Sequence, residues 1–297
     1  MIGTKLYKNM PPENIKLGKF KASRIIVKES WNALKQDKEV MWFPVISGFF
    51  TLLIIGAMAS FFYFNLLGGS RTEFKIDESK EITNLVLYGT LFVYYIVIFF
   101  IVNFFQSALF IIVQGRFSGQ DLNFSDGING ASKHIGKIFI WSFISATVGI
   151  VLKIISENFK VVGRIIAGVL GAAWDILTYF SLPALVIGNL NVKDSFKESA
   201  AIIKKTWGET LIVNFGVGLF FVVVIVLAVL LSLAIIIFSP TTYTFIIVGV
   251  IFAVFYIAMM LLSTTLSSIF KLALFNYART GTIPQGFSDD IFKQAIK

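Results

Sequence analysis

Long apolar stretches alternate with short polar connections along the whole chain. Six of these stretches reach the length of roughly 20 residues that a helix needs to cross about 30 Å of hydrocarbon. They lie at about 42–67, 84–113, 138–156, 161–188, 210–238 and 243–270. The connections at 156–161 and 238–243 are tight. The pattern therefore predicts an all-α polytopic membrane bundle of six transmembrane helices, arranged as three hairpins.

A segment with helical periodicity precedes each predicted hairpin, and we name these three segments the elbows. The third elbow has Ser195 and Glu198 at capping-box spacing, and Phe196, Ala200 and Ile203 on one face. The first elbow carries lysines beside its apolar face. Such amphipathic helices are typical of segments that lie on a membrane surface.

Composition agrees with helices that face lipid. Hydrophobic residues make up 56% of the chain and charged residues 14%, values far from those of soluble proteins. The 32 Phe outnumber the 5 Trp and 9 Tyr, so most aromatic rings are the purely apolar kind that partitions into hydrocarbon.

Few residues are available for chemistry. The chain has no cysteine, and its single histidine is His134, for which a surface position is the simplest interpretation. Gly-rich phosphate loops, a zinc-protease HExxH pair and a Ser-His-Asp set are missing from the sequence. We therefore expect a protein that is not an enzyme and that has neither a cofactor nor a metal site.

The net charge of +9 is concentrated beside the apolar stretches, which favours anionic lipid over nucleic acid as the partner. Twenty of the 26 Lys and Arg, Lys271 among them, fall on the side of the elbows and termini. By the positive-inside rule this side is cytoplasmic. We predict a plasma-membrane protein with a basic segment at 1–41, a membrane domain at 42–275 and a cytoplasmic tail at 276–297.

Asp175 is the one acidic residue well inside a predicted span. A charge there costs roughly 2.5–3.5 kcal/mol, so it normally faces the interior of the bundle. One interpretation is a proton or cation relay. The other, which we favour, is a carboxyl group hydrogen-bonded to Asn103, Gln106 or Asn214 of neighbouring spans.

Small residues recur along the fourth span. Gly163, Ala167 and Gly171 are spaced by four residues. Gly168, one position after Ala167, begins a second row with the same spacing. Such spacing indicates close helix packing. We favour a position in the core of the bundle over a dimer interface.

Hydroxyl side chains cluster between Ser263 and Ser268 in the sixth span. They either bond back to preceding carbonyl groups or line a polar path, and the first interpretation is the simpler.

Tryptophans and lysines stand together in the elbows, as they do in interfacial anchors. Lys28 and Trp31 belong to the first elbow, and Lys204, Lys205 and Trp207 to the third. A site for lipid headgroups is one interpretation of these residues.

Several stretches resemble a family of multi-pass prokaryotic membrane proteins of unknown function. The similar segments are 30–37, 43–48, 163–174, 204–209 and 276–287, which together span nearly the whole chain. The Leu182-Pro183 ending of the fourth span also resembles the membrane domain attached to some glycerophosphodiester phosphodiesterases. Neither resemblance implies an activity.

Two functions remain open from the sequence. The leading hypothesis is a non-enzymatic protein with a structural, lipid-organising or regulatory role, based on the basic elbows. The alternative is a small transporter or channel with Asp175 in a polar path.

Overall fold

The structure is a computed structural model that describes residues 27–28, 30–35, 38–66, 80–285 and 287. Side chains are described for these residues except 61–62, 64–66, 80–88, 160 and 205–219. The predicted contacts of Lys205, Trp207 and Asn214 lie outside the described side chains.

The described part of the chain is helical, with no strand. After a 3-10 turn at Lys38–Met41 the helices are α1 (Trp42–Leu66), α2 (Lys80–Phe117), α3 (Phe124–Ser132), α4 (Ile135–Asn158), α5 (Lys160–Leu177), α6 (Ser181–Val186), α7 (Val192–Phe238) and α8 (Thr242–Thr280).

Six helical segments of the described chain are long and apolar enough to cross a membrane, which confirms the predicted architecture. They correspond one to one with the six predicted stretches. Most of the helices extend beyond the apolar stretch itself; α4, for example, has 24 residues and spans roughly 36 Å. The third stretch, the shortest of the six, is therefore a full-length helix.

The second span is the centre of the bundle. Helices α1 and α2, α4 and α5, and α7 and α8 pack as hairpins, and α2 also contacts α3, α4, α6 and α8. The fourth span does not share this central position. Helix α5 packs mainly on α4, and its Val161, Ile165 and Val169 remain exposed.

The buried core lies at one end of the bundle, where α3, α6 and the start of α7 join the spans. Phe110 of α2, Phe180 beside α6, and Leu272 and Phe275 of α8 are almost fully buried there. At the other end the tips of the α4–α5 and α7–α8 hairpins are exposed, and Phe238 has 89% of its surface accessible. This distribution suits lipid, because side chains that face hydrocarbon need no protein cover.

The third elbow and the fifth span form one continuous helix. Helix α7 has 47 residues, roughly 70 Å, which is about twice the hydrocarbon thickness. Its cap differs from the predicted one. Asn191 is the N-cap and accepts a 2.8 Å hydrogen bond from the Asp194 amide, whereas Ser195 lies inside the first turn.

The fourth span is interrupted at residues 178–180, between α5 and α6. Pro183 explains the position of this interruption. Its ring lacks an N–H group and would clash with the carbonyl of Tyr179, four residues earlier, if the helix continued. The Phe180 amide donates instead to the hydroxyl of Ser199 in α7, at 2.9 Å.

Candidate functional site

A polar cavity of about 630 Å³ lies between α2, α4, α5 and α8. Apolar side chains such as Phe99, Val148 and Leu152 form part of its wall. Its polar and charged lining residues are Asn103, Gln106, Ser145, Asp175, Thr178, Tyr179, Ser263, Thr264, Ser267, Ser268 and Lys271. The four helices thus concentrate their polar side chains in one place.

The cavity separates two helices that are not neighbours in the packing. Helix α5 packs on α4, and α8 packs on α7, while α5 and α8 make no extensive contact among the described residues. Both helices nevertheless line the cavity, so it occupies the gap between them.

Three of the lining residues lie at the end of α5 and in the break that follows it. Thr178 and Tyr179 come three and four residues after Asp175, and all three side chains line the cavity. The Thr178 hydroxyl donates a 2.8 Å hydrogen bond back to the Trp174 carbonyl. The helix ends directly after this turn because of Pro183, so the cavity lies beside a helix C-terminus.

Two opposite charges line the cavity without touching. Asp175 and Lys271 are near enough to interact electrostatically, but no nitrogen–oxygen contact within 4.0 Å joins these two described side chains. The Lys271 ammonium instead lies 4.3 Å from the centre of the Tyr179 ring, a cation–π distance. Asp175 is an exposed side chain and makes no hydrogen bond within the described residues.

Asn103 and Gln106 bind other partners than Asp175. The Asn103 side chain donates to the Ser142 hydroxyl of α4 at 3.0 Å. The Gln106 side chain donates to the Ser268 hydroxyl of α8 at 3.3 Å. Both amides therefore link α2 to neighbouring spans and line the cavity at once. The expected hydrogen bonds from these two amides to Asp175 are absent from the described contacts.

The hydroxyl cluster of the sixth span fits both of its interpretations. Thr264 and Thr265 bond back to the carbonyls of Met260 and Leu261. Ser263, Ser267 and Ser268 line the cavity, and Thr264 lines it as well.

Aromatic rings form another part of the wall. Trp141 of α4 and Trp174 of α5 both line the cavity. Their rings stack with centroids 6.0 Å apart and planes inclined by 11°. Trp174 also stacks on Phe196 of α7 at 6.1 Å. Three helices are thus joined by this stack beside the cavity.

The small residues of the fourth span have different surroundings. A Cβ atom on Gly163 would collide with the Ile155 carbonyl of α4, and one on Gly171 would contact Leu152 at 3.5 Å. Gly168 has open space around it, and Ala167 is half-buried. The structure therefore places Gly163 and Gly171 at the α4–α5 contact and Gly168 outside it.

The described residues of the predicted lipid contacts are exposed. Trp31 has 38% of its surface accessible, and Lys28 and Lys204 are also exposed. The Lys35 ammonium lies 5.8 Å from the centre of the Trp31 ring. Their role in lipid binding remains a prediction.

His134 lies between α3 and α4, outside the spans, and is half-buried. Burial lowers the pKa of its imidazole, and the positive charges of Lys137 and Lys133 lower it further. Among the described residues no group of three acidic, histidine or cysteine side chains is placed to hold a metal ion.

Sequence reasoning missed Lys271 and Tyr179 as cavity residues. Lys271 was assigned to the polar end of the last span and counted among its flanking charges. A signal was nevertheless present, because Ser263, Ser267 and Lys271 follow a four-residue spacing on one helix face. Asp175 and Tyr179 have the same spacing.

Six apolar membrane-length helices and an internal polar cavity define a polytopic α-helical membrane protein. The chain belongs to the family described as "Family of unknown function (DUF6159)", whose model matches residues 85–286. The match includes all the cavity-lining residues, two of the five segments that carried the resemblance, and all but the last residue of a third. No curated protein and no solved structure matches the chain. The similarity to the membrane domain of glycerophosphodiester phosphodiesterases stays a prediction.

Proposed function

We propose that this chain is a non-enzymatic membrane protein that binds a small polar ligand in the cavity and gives it a path through the bilayer. The observation that carries the proposal is the presence of Asp175 and Lys271, from two different spans, in one cavity without contact between them. A purely structural pair would gain most from a direct ion pair, because charges inside a membrane are costly when they are unpaired.

The size and construction of the cavity support ligand binding. Its volume of about 630 Å³ falls within the range of roughly 300–1,000 Å³ that is typical of small-molecule sites. The wall combines apolar and aromatic side chains with polar groups that converge from several helices, and such convergent polar groups fix the orientation of a ligand in small-molecule sites.

The interrupted fourth span supports a transport function in particular. Transporters often bind their substrates beside discontinuous helices, where the ends of half-helices face the ligand. Helix α5 ends beside the cavity, and Asp175, Thr178 and Tyr179 line the cavity at that end.

Cysteine accessibility tests the proposal directly, because the chain has no native cysteine. Three neighbouring positions form a matched set. Thr178 lines the cavity, Leu177 is exposed on the surface of the bundle, and Phe180 is buried in the core. Each would be replaced by Cys in the full chain and treated with a membrane-impermeant thiol reagent from either side of the membrane.

We expect Thr178→Cys to react from at least one side, with Leu177→Cys and Phe180→Cys protected by lipid and protein. A cavity that is sealed from water would leave all three variants unlabelled, and that result would contradict the proposal.

A second function, lipid organisation at the membrane surface, is favoured by one separate observation. Lys28, Trp31 and Lys35 expose a basic aromatic surface in the first elbow. We propose that this surface faces an anionic cytoplasmic leaflet of the plasma membrane, with both termini on that side. The protein should then have a higher melting temperature in anionic nanodiscs than in neutral ones. The double variant Lys28→Gln/Lys35→Gln should remove much of that difference. Equal melting temperatures in the two lipids would contradict this second proposal.

A further inference from the structure

The charges of the cavity indicate the class of ligand that would fit it. Asp175 and Lys271 are the charged side chains among the described lining residues, so the formal charges of the wall cancel. A ligand with a single charge would pair with one of these groups and leave the other without a partner. An unpaired charge in a low-dielectric site is strongly unfavourable. A neutral ligand would leave both charges without a direct ion pair.

The position of each charge leaves room for a ligand group. Tyr179 covers one side of the Lys271 ammonium with its ring face, and Ser267 lies one helical turn before Lys271 on the same wall. An anionic ligand group could therefore accept hydrogen bonds from the ammonium and from a hydroxyl. Asp175 has no hydrogen-bond partner within the described residues and is exposed, so its oxygens are available to a cation.

Aromatic side chains adjoin the carboxylate. Trp174 comes directly before Asp175 in the sequence and stacks on both Trp141 and Phe196, so its ring faces are already occupied. The cationic group of a ligand would therefore be held by the Asp175 carboxylate, while Trp141 and Trp174 supply an apolar part of the cavity wall.

We infer that the ligand of this cavity is a zwitterion, with its cationic group at Asp175 and its anionic group at Lys271. This inference rests on the proposed function, since it names the ligand class for the same cavity. The neutral amides of Asn103 and Gln106 already donate to serines, and they add no further charge to the wall.

One ligand chemistry has two sources in a membrane: a free zwitterionic solute and a zwitterionic lipid headgroup. The gap between α5 and α8 is compatible with either a free solute or a lipid headgroup. The free solutes glycine, β-alanine and γ-aminobutyric acid carry the same two groups at increasing separation. Ethylammonium and propionate carry one charge each and serve as single-charge controls.

Binding would be measured on the purified full chain in phosphatidylglycerol nanodiscs by the intrinsic tryptophan fluorescence, since Trp141 and Trp174 line the cavity. We expect at least one of the three zwitterions to bind with a Kd about tenfold or more below that of either single-charge control, because those controls leave one wall charge unpaired.

The charge variants test the assignment of each group. Asp175→Asn and Lys271→Gln should each weaken zwitterion binding by about tenfold or more. Asp175→Asn should shift the preference toward propionate, and Lys271→Gln should shift it toward ethylammonium. Lys193→Gln removes an exposed lysine outside the cavity and should change nothing. A purely structural role for the two charges would not reverse the selectivity in this way.

Measurements in nanodiscs of phosphatidylethanolamine distinguish a lipid headgroup from a free solute as the ligand. If phosphatidylethanolamine nanodiscs abolish binding of the soluble zwitterion, or raise the melting temperature of the wild type but not of the Asp175→Asn variant, the ligand is the headgroup. If these nanodiscs leave zwitterion binding unchanged, the ligand is a free solute. Both results support the inference.

The inference is overturned if the single-charge controls bind as well as the zwitterions. It is also overturned if no soluble zwitterion binds and phosphatidylethanolamine gives no stabilisation. The measurements of zwitterions and single-charge controls on the wild type test the inference even if a charge variant fails to fold. In either case, labelling of Thr178→Cys would keep the cavity as a binding site for another ligand class, whereas its absence would remove the proposed function itself.

Discussion

The Lys271 ammonium lies 4.3 Å from the centre of the Tyr179 ring, so a cation of the sixth span is held by a residue of the break between α5 and α6. The contact joins α8 to this break, although α5 itself faces α8 across the cavity. It fixes one wall charge where a ligand would meet it.

The ring of Tyr179, and not its hydroxyl group, should hold Lys271 in place. We expect Tyr179→Phe to keep the free energy of unfolding within about 0.5 kcal/mol of the wild type, since the ring face remains. Tyr179→Leu should lose the cation–π interaction, worth roughly 0.5–2 kcal/mol, together with some packing. Thermal unfolding in detergent measures both. Equal losses for the two variants would show that the hydroxyl matters instead.

The half-buried hydrogen bond between Asn276 and Gln114 should contribute to the stability of the contact between α8 and α2. The Asn276 side chain donates to the Gln114 side-chain carbonyl at 2.7 Å and connects α8 to α2. Asn276→Leu should cost about 1–3 kcal/mol, because it leaves the Gln114 amide unpaired. The double variant with Gln114→Leu should recover much of that loss. A double-mutant cycle on thermal or denaturant stability measures the coupling, and strictly additive losses would contradict it.

The two glycines of the fourth span should respond oppositely to alanine. Gly163→Ala places a methyl group against the Ile155 carbonyl and should destabilise the protein by about 1–3 kcal/mol. Gly168→Ala has open space and should be neutral or gain up to about 1 kcal/mol from helix propensity. Unfolding in a mild detergent compares the two.

A dimer interface at this face would give a different result. In that case Gly168→Leu would change the mass of the particle measured by light scattering while Gly163→Ala left it unchanged. We expect no change in mass for Gly168→Leu.

Protonation of His134 should destabilise the folded protein. Burial and the neighbouring lysines lower its pKa in the folded state, so the unfolded chain binds the proton more readily. The contribution of neutral His134 is present above its ordinary pKa of about 6.5 and is lost as the pH falls below that value. Melting temperatures of the wild type and His134→Gln at pH 7.5 and pH 5 measure the effect. The variant should lose less stability than the wild type on acidification; an equal loss would assign the effect to other groups.

Some residues of the cavity could be predicted from the sequence, whereas their hydrogen-bond partners could not. Asp175, Asn103 and Gln106 are suspected from sequence, because a polar side chain inside an apolar stretch is conspicuous. Their partners are not predictable in the same way. Asn103 pairs with Ser142 and Gln106 with Ser268, 162 residues away along the chain. Such pairs depend on which spans become neighbours, and hydropathy holds no information on that.

By itself the sequence determined the class of protein, the six spans and the family. Runs of about 20 apolar residues have few alternatives to membrane helices, because each backbone group in lipid must be satisfied within its own helix. Tertiary structure decided that α2 is central, that Pro183 ends α5 beside the cavity, and that Lys271 and Asp175 line one cavity. Helix packing sets these relationships, and it depends on the shapes of facing side chains far apart in sequence.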